Sequence, residues 1–287
     1  MLSSNADYTL FTFTVIPLLY FHLKSNLMLL NYQLKQTALN EADQKNENIF
    51  IVHGLFGSLS NLAGVATALQ ENHRIISVDL RNHGNSPHSA SMSYQEMAND
   101  LFDLADSLNI KHFSIIGHSM GGKVAMSCAL QRPERINKIV IADIAPVTYA
   151  DKHSDVFAGL QAVAKEQIKS RKAADLILSE YVKTAEVRQF LLKSLQKKGD
   201  IYRLQFNLSA IIANYESIRG WPVIDSVFNK EVLFIKGGDS DYIQAENQST
   251  ILRLFPKAKA KVIENTGHWL HAEKAKTFNR LIRQFFN

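Results

Sequence analysis

Short apolar runs alternate with longer amphipathic stretches along most of the chain. Residues 49–52, 74–78, 113–116, 138–142 and 232–236 are each short, rich in Ile, Val and Phe, and closed by turn-forming residues. That is the pattern of strands buried on both faces. Residues 29–37 read as a first strand and 261–264 as a last one. Between them, 61–69, 93–108, 120–131, 244–255 and 272–286 carry helical patterns. Ser93, with Glu96 one turn on, makes a capping box at the start of the second of these. Strands alternating with helices at this spacing predict βαβ units. The fold class is therefore α/β, with a mostly parallel central sheet flanked by helices.

Between residues 150 and 225 the rhythm changes. Helical patterns dominate, at 155–169, 173–184 and 186–196, followed by an extended piece at 202–208. This segment is expected to be a helical cap, inserted before the last two strands and lying over the sheet. The core then comprises 28–149 and 226–287, and the cap 150–225. Residues 1–27 stand outside that scheme. Their apolar, uncharged stretch at 10–23 is interrupted by Pro17 and is too short to span a bilayer comfortably. A signal peptide would need a basic leader and a small-residue cleavage site, and neither is there. The expectation is that the functional protein begins near Met28, the upstream extension being a gene-start artefact. A weak membrane anchor is the alternative.

Composition changes the picture little. The chain of 287 residues is 46% hydrophobic and 21% charged, as an ordinary globular protein is. Its net charge of +5 comes from 32 basic and 27 acidic residues that are scattered, with no basic stripe interleaved with aromatics. Nucleic-acid binding is therefore not expected. Cys128 is the only cysteine, so an internal disulfide is excluded, and a reducing, cytoplasmic location is expected. It falls on the helix at 120–131, where a small buried core residue is the natural reading. Neither C-x-x-C nor H-E-x-x-H occurs, so no metal or other cofactor is expected. The sequence does not speak to oligomeric state.

The candidate chemistry centres on Gly117-His118-Ser119-Met120-Gly121. It fits G-x-S-x-G with a strand before it and a helix after it, the context of a nucleophile elbow. Glycines two residues to either side let strand and helix pass close to a strained serine. A serine needs an adjacent base, and the base an orienting acid. His268 is the candidate base, in the loop after the last strand and preceded by Gly267. His271 would sit near the start of the final helix, pointing elsewhere, and His118 reads as a packing residue. For the acid three residues compete. Asp143 ends the strand at 138–142, while Asp239 and Asp241 follow the strand at 232–236. An oxyanion hole needs two backbone N–H groups. Met120 supplies one, and the loop after Val52 supplies the other, from Leu55 or alternatively Phe56.

Five stretches taken together resemble the α/β-hydrolase superfamily from about Met28 onward. They are H-G-L-F-G-S at 53–58, D-L-R-N-H-G-N-S-P at 79–87, G-H-S-M-G-G-K at 117–123, D-I-A-P-V at 143–147 and G-H-W-L-H-A-E-K at 267–274. Within the superfamily the chain is similar to the YbfF-type bacterial esterases and their mitochondrial relatives. The resemblance implies an α/β-hydrolase fold and a Ser119–His268–Asp143 triad, with Asp143 as the aspartate of D-I-A-P. The acid slot used elsewhere in the superfamily aligns with Ser240, between Asp239 and Asp241. The expected function is a serine esterase hydrolysing small acyl esters or thioesters through an acyl-enzyme. A C–C bond hydrolase or elimination enzyme on the same scaffold is one alternative, and a non-catalytic ligand-binding protein another.

Overall fold

The computed structural model describes residues 28–36 and 47–287. The expectations for residues 1–27, and for most of the polar turn after 37, lie outside the described residues. Seven strands make one sheet: β1 (Tyr32–Lys35), β2 (Asn48–Val52), β3 (Arg74–Val78), β4 (Phe113–His118), β5 (Ile136–Ala142), β8 (Val232–Gly237) and β9 (Ala258–Ile263). Their order is β1-β3-β2-β4-β5-β8-β9. Every neighbouring pair is parallel except β1 with β3. The sheet is thus mostly parallel, as the alternation of elements predicts.

The continuous apolar runs arise because both faces of the sheet are covered. Phe50, Val52, Phe113 and Ile115 point into one core, which they share with α2 (Tyr94–Ser107) and α3 (Met120–Gln131). Ile49, Ile51 and Ile116 point into the other, with α1 (Ala63–Leu69) and α11 (Ala275–Phe286). On α11 the buried stripe is Phe278, Ile282 and Phe286, at helical spacing. The capping box starts α2 as the sequence predicts: Ser93 Oγ accepts the Glu96 N–H at 3.2 Å, and Glu96 Oε2 accepts the Ser93 N–H at 2.9 Å.

The order in which strands add to the sheet reverses between β2 and β4. β3 lies to one side of β2, and β4 followed by β5 to the other. At such a switch point the loops leaving the strands' C-terminal ends splay apart and leave a crevice. Val52 pairs with Gly117 across this boundary, so the loop after β2 and the turn after β4 emerge side by side.

Between β5 and β8 run α4 (Ser154–Lys165), α5 (Arg171–Tyr181), α6 (Ala185–Leu192), β6 (Leu195–Lys198), β7 (Ile201–Leu204), α7 (Leu208–Ala213) and α8 (Tyr215–Arg219). Helical spacing runs to residue 196 in the sequence, but the chain leaves α6 at Leu192. It then forms an antiparallel hairpin through Gly199, whose φ is +62°. The last strand starts earlier than expected, at Ala258, because its exposed edge carries alternating lysines rather than apolar residues. After α9 (Gln248–Leu254) and β9, the final helix is two: α10 (Leu270–Glu273) and α11, broken at Lys274 with φ −129° and ψ 57°. Among the described residues no helix is long and apolar enough to cross a membrane.

Candidate active site

Ser119 stands between β4 and α3 with φ 54° and ψ −122°, a conformation that an L-residue adopts only under constraint. The constraint is the closeness of strand and helix. A Cβ on Gly117 would lie 2.2 Å from Gly121 O, and one on Gly121 2.3 Å from Val52 O. Glycine is required at both positions. The Ser119 N–H donates to Ala142 O of β5 at 2.9 Å, which pins the turn to the sheet.

His268, in the loop after β9, reaches Ser119 from the other side. Its Nε2 is 2.9 Å from Ser119 Oγ and its Nδ1 2.7 Å from Asp143 Oδ2. A carboxylate only accepts, so Nδ1 carries the proton and Nε2 faces the serine hydroxyl as acceptor. Asp143 is fully buried and, at φ 54°, is itself in the left-handed region. Its Oδ1 accepts the Gly237 N–H at 3.0 Å and its Oδ2 the Ser240 hydroxyl at 2.5 Å. Of the three acid candidates the structure brings only Asp143 to His268. Asp241 pairs with Lys152 at 2.5 Å, its side chain 68% exposed, and that bond lowers its pKa. Asp239 is exposed.

Around this line the imidazole is held by groups to which the sequence gives no such role. Tyr242 stacks on His268 with ring centroids 4.0 Å apart and planes 21° from parallel. His118, read as a packing residue, donates from Nε2 to the His268 carbonyl at 2.8 Å. Burial lowers the pKa of His118 well below the usual histidine value, so the ring stays neutral and has only one N–H to place. His271 points away from Ser119, its ring against His118 and Phe278. Ser240 was visible only as the residue aligned with the alternative acid slot.

Two backbone N–H groups beside Ser119, those of Leu55 and Met120, take no partner among the described residues. Met120 opens α3, where the first N–H groups lack intrahelical acceptors. The Phe56 N–H is already used, donating to His83 Nε2 at 3.1 Å. Of the two candidates left open by the sequence, only the Leu55 N–H is without a partner among the described residues.

Ser119 and His268 lie on the wall of a cavity of about 540 Å³. From the core it is lined by Leu55, Phe56 and Met120, and from the inserted segment by Val156, Val187 and Phe190. His153 is there too, bonded through Nδ1 to the Tyr215 hydroxyl at 2.7 Å, and burial takes its pKa down to about 4. Lys123, also at the wall, is almost wholly buried. Its Nζ donates to the carbonyls of Val147, Arg219 and Gly220 at 2.8, 3.0 and 2.7 Å. Burial brings its pKa down to about 7.

The chain is similar to known proteins over most of its length. Residues 47–275 match the family model described as alpha/beta hydrolase fold. Esterase YbfF of Escherichia coli is 42% identical over 253 residues, covering 88% of this chain and 97% of the esterase. The sn-1-specific diacylglycerol lipase of Mus musculus is 38% identical over 255 residues, covering 86% of this chain and 83% of the lipase. Among solved structures, a marine microorganism esterase superposes with a TM-score of 0.84 at 35% identity, over 90% of this chain and 99% of its own.

Proposed function

The chain belongs to the α/β-hydrolase fold family and is a carboxylic ester hydrolase, and we propose that it is a serine esterase acting on small acyl esters or thioesters. Ser119 is the nucleophile, His268 the general base and Asp143 the acid that orients it. The observation that carries the reading is the unbroken line Ser119 Oγ–His268 Nε2/Nδ1–Asp143 Oδ2, at 2.9 and 2.7 Å, beside two free N–H groups.

In the proposed reaction Ser119 Oγ attacks the ester carbonyl as its proton passes to His268 Nε2. Asp143 stabilises the imidazolium without taking the proton. The oxyanion lies between the N–H groups of Leu55 and Met120, and each such donor is worth on the order of 10²–10³ in rate. The tetrahedral adduct collapses, the C–O or C–S bond to the leaving group breaks, and His268 hands its proton to that group. Water, deprotonated by the same imidazole, then cleaves the acyl-enzyme and frees the acid and Ser119. The strained φ at Ser119 and at Asp143 is the kind of backbone cost that persists where function requires it.

Residues 150–225 form, on this reading, a cap over the core of 28–149 and 226–287. It supplies the apolar wall at Val156, Val187 and Phe190. A cavity of about 540 Å³ with that lining suits a short to medium acyl chain. The cell compartment proposed is the cytoplasm, in keeping with the single buried Cys128.

Hydrolysis of p-nitrophenyl esters from acetate to long acyl chains, by wild type and Ser119→Ala, tests the reading. Turnover of the shorter esters, abolished in Ser119→Ala, is the expected result. Folded wild type that hydrolyses none of them would overturn it.

A further inference from the structure

The stretch Asp79–Pro87 belongs to the sequence pattern, yet the mechanism above gives it no work. It contains His83, wholly buried and bonded at both ring nitrogens. Nε2 is 3.1 Å from the Phe56 amide nitrogen and Nδ1 3.0 Å from Arg81 O. The amide can only donate and the carbonyl only accept, so the ring carries its proton on Nδ1 and offers a lone pair at Nε2. We propose that His83 is the positioning residue of the oxyanion hole. By taking the Phe56 N–H it turns the loop after β2 so that the Leu55 N–H faces the reacting carbonyl. The proposal rests on the esterase reading of the same site.

The backbone of that loop carries the argument. Phe56 sits at φ 61°, a left-handed conformation that is uncommon for an aromatic residue and persists only when its surroundings impose it. Two things impose it here: the bond from its N–H to His83, and the packing of its ring against Phe157 and Phe206 at 5.8 and 5.3 Å. Without the bond, the peptide unit between Leu55 and Phe56 is free to relax toward the ordinary negative-φ region. That relaxation moves the Leu55 Cα, and the Leu55 N–H on the preceding peptide unit is displaced with it.

The two loops hold each other reciprocally. His53, from the loop after β2, accepts the Leu80 N–H at Nε2 across 3.1 Å and donates from Nδ1 to Gly54 O at 2.7 Å. His83, from the loop after β3, returns the same type of bond to Phe56. The rings lie 5.2 Å apart. Burial takes the pKa of His83 down to about 3, so its lone pair stays available at any pH where an ester hydrolase works. The inserted segment grips the same loop: His83 bridges to Phe206, and the Asn207 N–H donates to Asn82 O at 2.8 Å. Seating of that segment and setting of the Leu55 N–H are thereby coupled through one residue.

The test compares His83→Gln with His83→Asn. The glutamine oxygen reaches the place of Nε2 and can accept the Phe56 N–H; the shorter asparagine reaches the place of Nδ1 and cannot. His83→Phe keeps ring bulk without an acceptor and must behave as His83→Asn does, so that a folding failure in one leaves the other to be read. Turnover of p-nitrophenyl butyrate is measured beside inhibition by the trifluoromethyl ketone with the same acyl chain, whose adduct on Ser119 places an oxyanion in the hole. The expected result for His83→Asn is a loss of kcat on the order of 10²-fold, with a matching loss of ketone affinity and KM within about threefold. His83→Gln stays within about tenfold of wild type on both readouts. Equal weakening of the Gln and Asn variants, or folded Asn and Phe variants with wild-type kcat and ketone affinity, would overturn the proposal. Wild type that neither turns over the ester nor binds the ketone would instead sink the esterase reading, and the proposal with it.

Discussion

The hydroxyl of Ser240 donates to Asp143 Oδ2 across 2.5 Å, and that same oxygen accepts the His268 Nδ1–H. A serine thus stands at the acid slot that the sequence pattern leaves without a carboxylate, and it is turned toward the carboxylate that reaches His268 from β5. On the proposed mechanism Asp143→Asn lowers kcat by on the order of 10⁴-fold, because an amide no longer holds the imidazole in the right tautomer. Ser240→Ala removes one of three donors and lowers kcat by roughly tenfold. Asp241→Asn, on an exposed ion pair with Lys152, leaves kcat within about twofold. Steady-state kinetics on one short ester ranks the three, and a damaging Asp241→Asn would reverse the assignment.

Gly237 ties the acid to the base. Its N–H donates to Asp143 Oδ1, and a Cβ there would lie 2.2 Å from Gly267 O. Gly237→Ala must push the backbone carrying His268 or distort the end of β8. The expected outcome is a loss of about 1–3 kcal/mol in urea unfolding, together with a drop in kcat that exceeds any change in KM. Wild-type kinetics in Gly237→Ala would show that the loop tolerates the shift.

Lys123 concentrates three backbone carbonyls on one ammonium, from both ends of the insertion: Val147 just before it and Arg219 and Gly220 near its close. Tyr94 and Tyr149 lie against it, with ring centroids 5.6 and 4.7 Å away. Lys123→Met fills the space and leaves the carbonyls without a donor. It is expected to cost about 2–4 kcal/mol, read as a lower urea midpoint. An unchanged midpoint would mean that water satisfies those carbonyls.

Buried histidines give the fold a direction of pH dependence. Burial takes His83 down to about 3 and His271 and His153 to about 4, against an unfolded value near 6.5. Between those limits the unfolded chain binds protons that the folded chain refuses. The stability these groups contribute is present above about pH 6.5 and is lost as pH falls toward 4. His271 Nδ1 has no hydrogen-bond partner, so His271→Phe removes one such group at little other cost. Denaturation midpoints from pH 7 to pH 4.5 are expected to fall in wild type. In His271→Phe the fall is shallower, by about 1.4 kcal/mol per pH unit. Parallel slopes would contradict the assignment.

The sheet was legible in the sequence because strands covered on both faces leave unbroken apolar runs, as at 49–52 and 113–116. Ser119 and His268 were legible because the elbow and the loop after the last strand each carry a glycine signature. Asp143 needed the family resemblance, since nothing local separates it from Asp239 and Asp241. The hairpin β6–β7 was hidden because Leu191, Leu192 and Leu195 keep helical spacing past the true end of α6, and strand pairing, not local propensity, decides that region. The break at Lys274 has neither Gly nor Pro to announce it. Tyr242 and His83 act through a ring face and a lone pair, and whether such groups meet a partner is fixed by loops converging from distant parts of the chain.

The central claim is that the reaction passes through an ester on Ser119. Wild type mixed rapidly with p-nitrophenyl butyrate, quenched in acid, digested and weighed by mass spectrometry addresses it directly. One butyryl group is expected on the peptide that contains Ser119, appearing and decaying at rates that match turnover, and none in Ser119→Ala. Undiminished hydrolysis by Ser119→Ala, or an acyl group on any other residue, would contradict it.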